Sequence, residues 1–167
     1  YLFTMMNQLI LPGYYPIDYK QQRTQQVQTF LPYDNFEESA SVLDWKRLGK
    51  QRVEAMQIVN AIEKQTGWRH HPVVHMWTPY IPALKHYTNV MIEEWIKRGY
   101  NNTMNLYDVT EYEYDPPNWL GNEKFHSSHR ANLLRKDYLY YSQFEWAENP
   151  ENPYVWLNNE GKWYSVN

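Results

Sequence analysis

The chain has 167 residues, the length of one ordinary domain, and its 43% hydrophobic and 21% charged content argues against two large domains, a fibrous repeat or a wholly disordered chain. Sixteen basic against nineteen acidic residues give a net charge of −3, so no global positive field draws the chain to nucleic acid or an anionic membrane, and any basic contact must be local. The absence of cysteine excludes disulfides, thiolate catalysis and Cys-ligated zinc together, while sixteen Tyr, eight Trp and five Phe supply either a core of large rings or stacking platforms with polar tips.

Residues Tyr1 to Ile10 lack the basic start and long apolar run of a secretory signal, and no stretch approaches the roughly 18 apolar residues of a membrane span. The expectation is a soluble, cytoplasmic protein without membrane association. Residues 1–26 are rich in Tyr and Gln with little apolar periodicity, and read either as a loosely held terminus or as an arm that binds a protein partner.

From Val27 a short extended piece, Val27 to Pro32, leads into a helix expected over roughly 38–65. Its apolar face is Val42, Trp45, Leu48, Val53, Met56, Val59 and Ile62, and Gly67 is its breaker. The polar side carries Lys46, Arg47, Lys50, Arg52 and Glu54, a dense cluster of cations around one carboxylate. Pro72 can open a short helical turn, and a second long helix follows from Ile81 until Lys97-Arg98-Gly99. Residues 101–118 read as an irregular connection. A third helix is expected over about His126 to Tyr141, burying Ala131, Leu133, Leu134, Tyr138 and Tyr141 and exposing Arg130, Arg135 and Lys136. Two runs, Tyr154 to Leu157 and Lys162 to Tyr164, suggest a hairpin. The fold class is mostly α: a compact single domain of about three main helices with long irregular connections, divided into an extension (1–26), a helical domain (27–157) and a tail (158–167).

His71 and His75 stand four apart and His126 and His129 three apart, which places two rings on one helix face, yet no HExxH or zinc-deaminase pattern accompanies them. No metal is expected; these imidazoles either hydrogen-bond loop backbone or contact phosphate. Gly-rich phosphate loops, a Rossmann fingerprint and a GxSxG elbow are all missing, and Glu93-Glu94 reads as a solvated face. Trp68, Trp77 and Trp119 are either core or platforms for a splayed base.

The runs Gln28-Thr29-Phe30-Leu31-Pro32, Leu43-Asp44-Trp45-Lys46-Arg47-Leu48-Gly49-Lys50-Gln51-Arg52-Val53-Glu54 and Arg69-His70-His71-Pro72 resemble bacterial and phage proteins of the pyrimidine-dimer DNA glycosylase family. The likeness continues through Trp95 to Tyr100, Trp119-Leu120-Gly121, Phe125 to Arg130, Leu133 to Lys136 and Pro153 to Trp156. It implies a compact helical domain, double-stranded DNA as partner and no cofactor. It also implies a mechanism, in which an N-terminal amine attacks the sugar C1′ of a damaged pyrimidine and forms an imine, while a nearby glutamate supports glycosyl cleavage and β-elimination. The matching glutamate is Glu54, which the cations Arg47, Lys50 and Arg52 are expected to keep ionised. The ordinary alternative is an i,i+4 surface pair of Lys50 with Glu54. Candidate phosphate contacts are Arg47, Lys50, Arg52, His71, His126, His129, Arg130, Arg135 and Lys136.

In the relatives the amine sits near Gln28 or Thr29, whereas here residues 1–27 precede Gln28, and a nitrogen in a peptide bond is no nucleophile. Catalysis then requires a start at Val27 from a GTG codon, a trimmed arm, or a lysine such as Lys50 as the amine. Two functions stay open: a DNA-base N-glycosylase, with or without AP-lyase activity, acting on damaged or modified pyrimidines in duplex DNA, and a catalytically inactive glycosylase-fold module for DNA binding or assembly.

Overall fold

A computed structural model describes residues 27–66, 70–109, 114–157 and 161–166; the arm 1–26, the expected breaker Gly67 and the candidate platform Trp68 lie outside the described residues. The Asn35 side chain accepts a hydrogen bond from Glu38 N (2.7 Å) and so starts α1, Phe36–Val42. Leu43 and Asp44 are extended, and the Asp44 carboxylate accepts from Arg47 N to start α2, Trp45–Lys64. The single helix expected over 38–65 is therefore two. The break is held from outside, because Arg98 donates to the carbonyls of Leu43 (2.7 Å), Ala40 and Ser41 (both 3.1 Å) at the end of α1, where Ala40 O also accepts from Leu43 N (3.2 Å). Gln65, in the left-handed region at φ 53°, ends α2.

The His71 ring accepts from Val73 N and starts α3, Pro72–Trp77, with Pro72 in its first turn as the sequence suggests. One 3-10 turn, Thr78–Tyr80, then leads into α4, Ile81–Lys97. The described parts of 101–118 carry no helix or strand. They are anchored at Tyr107, whose backbone is gripped at both polar groups by the Asn89 side chain, at 2.7 and 2.9 Å. Helix α5 is Glu123–Lys136, and Asp137, at φ −153°, breaks the expected third helix and caps a single turn, α6, Tyr138–Tyr141. The break leaves Tyr138 exposed rather than in the expected buried set. Strands β1, Tyr154–Leu157, and β2, Trp163–Val166, pair antiparallel with Tyr154 opposite Val166 and Leu157 opposite Trp163.

The fold is mostly helical, with α2 packed along α4 and β1 lying against α5 and α3. Aromatic rings fill much of the core. Trp77 meets Trp119 edge to face at 4.9 Å and Tyr87 at 5.5 Å, and both tryptophans are buried, so the alternatives of core or base platform resolve as core for these two. No helix among the described residues is long and apolar enough to cross a membrane.

Helix α2 is turned differently from the expected face. Leu48, Gln51, Glu54, Ala55, Ile58, Val59 and Ala61 point inward, whereas Trp45 and Val53 are exposed. The close approach of α4 explains part of this rotation, because a Cβ on Gly49 would lie 2.8 Å from the Trp95 ring. That ring cannot easily yield: Trp95 Nε1 donates to Asn101 O (2.7 Å), and the Arg52 guanidinium covers the ring at 4.2 Å. Gly49→Ala is expected to lower the melting temperature, since overpacking costs ~1–3 kcal/mol against about 1 kcal/mol gained in helix propensity. A thermal melt checks the sign.

Candidate active site

Residues 27–32 form an extended strap that belongs to no sheet, so its buried peptide groups need partners from elsewhere. Side chains from several elements supply them. Gln51 in α2 donates from Nε2 to Gln28 O (2.9 Å) and accepts at Oε1 from Phe30 N (2.7 Å). The Tyr87 hydroxyl in α4 donates to Phe30 O (2.8 Å), and Tyr154 in β1 donates to Thr29 O (3.2 Å). Trp77 Nε1 donates to the Thr29 hydroxyl (3.0 Å), and Asn132 Nδ2 to Gln28 Oε1 (3.3 Å).

The two helical histidines grip Leu31 from α5. His126 donates from Nδ1 to Leu31 O (2.8 Å) while its Nε2 accepts from Gly121 N (2.9 Å), and His129 Nδ1 accepts from Leu31 N (2.9 Å). Those roles require both rings to be neutral. Burial pushes His126 below the usual imidazole range and His129 well below it, with repulsion from Arg130 adding to each. Both rings are buried and anchor the strap backbone, His126 engaged at both nitrogens and His129 at Nδ1.

The strap places Gln28 on a cleft of about 240 Å³ lined by Gln28, Phe30, Lys46, Arg47, Lys50, Glu54 and Lys136. Cations from the first turns of α2 and the end of α5 thus surround one carboxylate. A larger cavity of about 370 Å³ between α1 and α4 is lined by Glu37, Glu38, Glu93 and Glu94 with one cation, Lys97, and its charge repels phosphate.

Glu54 is buried on the inner face of α2, with Lys50 Nζ 4.0 Å from its carboxylate. The expectation that the neighbouring cations keep it ionised is corrected. Desolvation raises the carboxyl from 4.5 to about 7, outweighing the opposing pull of Lys50 and Lys136. Arg52 contributes nothing to that pull because its guanidinium leaves the cleft to stack on Trp95 and bond Asn102 (2.9 Å). Lys136 is held below the ordinary lysine value, first by desolvation of its ammonium and then by repulsion from Arg47, Lys50 and Arg135.

Gln28, Lys50, Glu54, Arg47 and Lys136 are therefore brought together. The other candidates lie elsewhere, tied to internal partners. Thr29 is buried with hydroxyl and carbonyl both engaged. His71 caps α3 beneath Trp156, with ring centroids 5.1 Å apart. Arg130, expected at the surface, is largely covered: it donates to Pro32 O (2.8 Å) and binds the carboxylates of Glu148 and Glu123. Arg135 reaches the carbonyls of Pro150 (2.6 Å) and Asn152 (3.1 Å) and holds the loop before β1. Sequence reasoning missed Gln51, Tyr87 and Tyr154 as the residues that seat the strap. For Gln51 a signal existed, because it lies three residues from Leu48 and four from Ala55, on one helix face.

The described residues thus form a mostly helical domain with a cleft in which cations surround one buried carboxylate. Residues 27–108 match the family model for pyrimidine dimer DNA glycosylase, which supports that family for the chain. The matched span takes in the strap, α1 to α4 and both Gln28 and Glu54. No curated protein and no solved structure matches the chain.

Proposed function

We propose that this chain is a DNA-base N-glycosylase with an associated AP-lyase step, acting on damaged or modified pyrimidines in duplex DNA. The family match supports a glycosylase-type function and a DNA substrate. The observation that carries the finer reading is that Gln28 and Glu54, remote in sequence, line one cationic cleft. In this reading an amine on Gln28 attacks C1′ of the damaged nucleotide, the C1′–N bond breaks with its electron pair leaving on the base, and an imine forms on the opened sugar. Loss of a C2′ proton then expels the 3′ phosphate by β-elimination. The ionised Glu54 carboxylate stabilises positive charge developing on the sugar, and a carboxyl that titrates near neutrality suits proton transfer in the later step. Arg47, Lys50 and Lys136 meet the flanking phosphates. Gln28 rather than Thr29 carries the amine, since Thr29 is enclosed by Trp77 and Tyr154.

One observation favours the second reading for the intact chain: Gln28 N is an amide here, so the uncut protein binds duplex DNA without forming an imine. Residues 1–26 then act as an arm for a protein partner. Either activity is compatible with the expected bacterial or phage-infected cytoplasm, where duplex DNA is accessible.

Glu54→Gln in a chain beginning at Gln28 tests the site. The expected result is a loss of glycosylase turnover of roughly 100-fold or more, with affinity for lesion-bearing duplex kept and still falling steeply with added salt. Unchanged turnover would reduce Glu54 to a buried helix residue.

A further inference from the structure

Large apolar side chains close in sequence to the cleft's cations are exposed, with the Lys46 ammonium over the Trp45 ring at 5.7 Å. Leu139 is 90% exposed, Tyr138 60% and Trp45 54%, high values for large apolar groups in a domain that leaves few of its described rings exposed. Their backbone is rigidly seated. Asp137 caps α6 through Tyr140 N (3.2 Å), Tyr141 is fully buried and stacks on Trp146 at 5.8 Å, and its hydroxyl donates to the Asp44 carboxylate while accepting from Asp44 N. That contact joins the turn bearing Tyr138 and Leu139 to the start of α2, where Trp45 directly follows Asp44. Both ends of the patch abut cleft residues in sequence: Trp45 adjoins Lys46 and Arg47, and Tyr138 follows Lys136 by two positions.

We propose that Leu139, with Tyr138 and with Trp45 across the Asp44–Tyr141 contact, forms a wedge that enters the base stack of duplex DNA next to the nucleotide held in the cleft. The proposal rests on the glycosylase reading and adds to it the device that opens the duplex. A base must leave the stack before an amine can reach C1′, and the gap it leaves is apolar, flat and flanked by phosphates. The patch answers each feature: a branched aliphatic tip and two rings for the stack, and Lys46, Arg47, Lys50 and Lys136 for the backbone on either side. A protein partner or second copy of the chain would also cover apolar groups, but Lys46, Arg47 and Lys136 adjoin this patch in sequence while the neighbouring Asp44 and Asp137 are engaged as helix caps, a balance that favours an anionic occupant. The tip is carried on a capped and pinned turn, so inserting it requires no ordering of a loose segment.

The test uses the full chain and a duplex holding a tetrahydrofuran abasic analogue beside 2-aminopurine, whose fluorescence rises when its neighbour unstacks. No cleavage is needed. Binding of the unaltered chain is expected to raise fluorescence, and Leu139→Ala to remove most of that rise and weaken binding roughly tenfold. Leu139→Phe should restore both, and because the side chain lies outside the core all three proteins should melt alike. A full fluorescence rise with Leu139→Ala overturns the wedge while leaving the glycosylase reading intact. Self-association in sedimentation that disappears with Leu139→Ala would assign the patch to a second copy and likewise overturn it. No binding to the duplex by anisotropy would overturn the glycosylase reading and the wedge with it.

Discussion

Borohydride should trap a covalent complex between abasic duplex DNA and a chain that begins at Gln28, and no complex with the full chain. The reagent reduces an imine to a stable secondary amine, so trapping reports the nucleophile and not binding. An α-amine with a pKa of ~7.7–8 is partly neutral near physiological pH, whereas an amide nitrogen has no available lone pair. The expected difference is all or none. Removing the preceding residues should leave the new terminus in place, because the strap is held by side chains from α2, α3, α5 and β1 at Gln28 and Thr29. Trapping by both chains would move the nucleophile to a lysine of the cleft, Lys50 being 4.0 Å from Glu54. Trapping by neither would remove imine chemistry and favour the DNA-binding module.

The fold was legible where local signals agreed. Helix α4 ends at Lys97, inside the Lys97-Arg98-Gly99 run expected to stop it, and β1 falls on its expected run while β2, Trp163–Val166, overlaps the expected 162–164 and runs two residues further. Where caps interrupted a continuing apolar rhythm, the breaks went unseen. Asp44 and Asp137 are ordinary N-cap residues, but Val42, Trp45 and Leu48 keep helical spacing across the first and Leu134, Tyr138 and Tyr141 across the second. The break at Asp44 is fixed by Arg98 and Tyr141, more than fifty residues away in each case, which no local pattern contains. The same limit applies to the site. Resemblance picked out Glu54 and the cations, but the carboxyl's environment depends on which face of α2 turns inward, and two exposed apolar residues, Trp45 and Val53, gave that face the wrong direction. His126 and His129 illustrate the remainder: their spacing was visible, their partner at Leu31 was not.

Glu54→Gln should stabilise the fold while abolishing the proposed glycosylase turnover, and the stabilisation should depend on pH in a definite sense. The folded-state carboxyl is raised from 4.5 to about 7, so between those values the folded protein keeps a proton that the unfolded chain has released. Stability therefore falls as pH rises through that window and levels off above it. An amide pays no such charge-burial cost. The difference between 4.5 and about 7 corresponds to about 3 kcal/mol, so the variant should exceed the parent by an amount of that order above pH 7 and converge with it below 4.5. His126 and His129 act in the opposite direction, since the unfolded chain takes up protons below the ordinary imidazole value that the buried rings refuse. Both proteins share that acid-side loss, and the difference between their urea denaturation curves cancels it. A gap that opens with rising pH shows that the cleft holds its carboxylate at a folding cost, as expected of a group placed for chemistry rather than for stability. A gap constant across the range would show that Glu54 does not titrate there, and would remove the physical basis for its role in proton transfer.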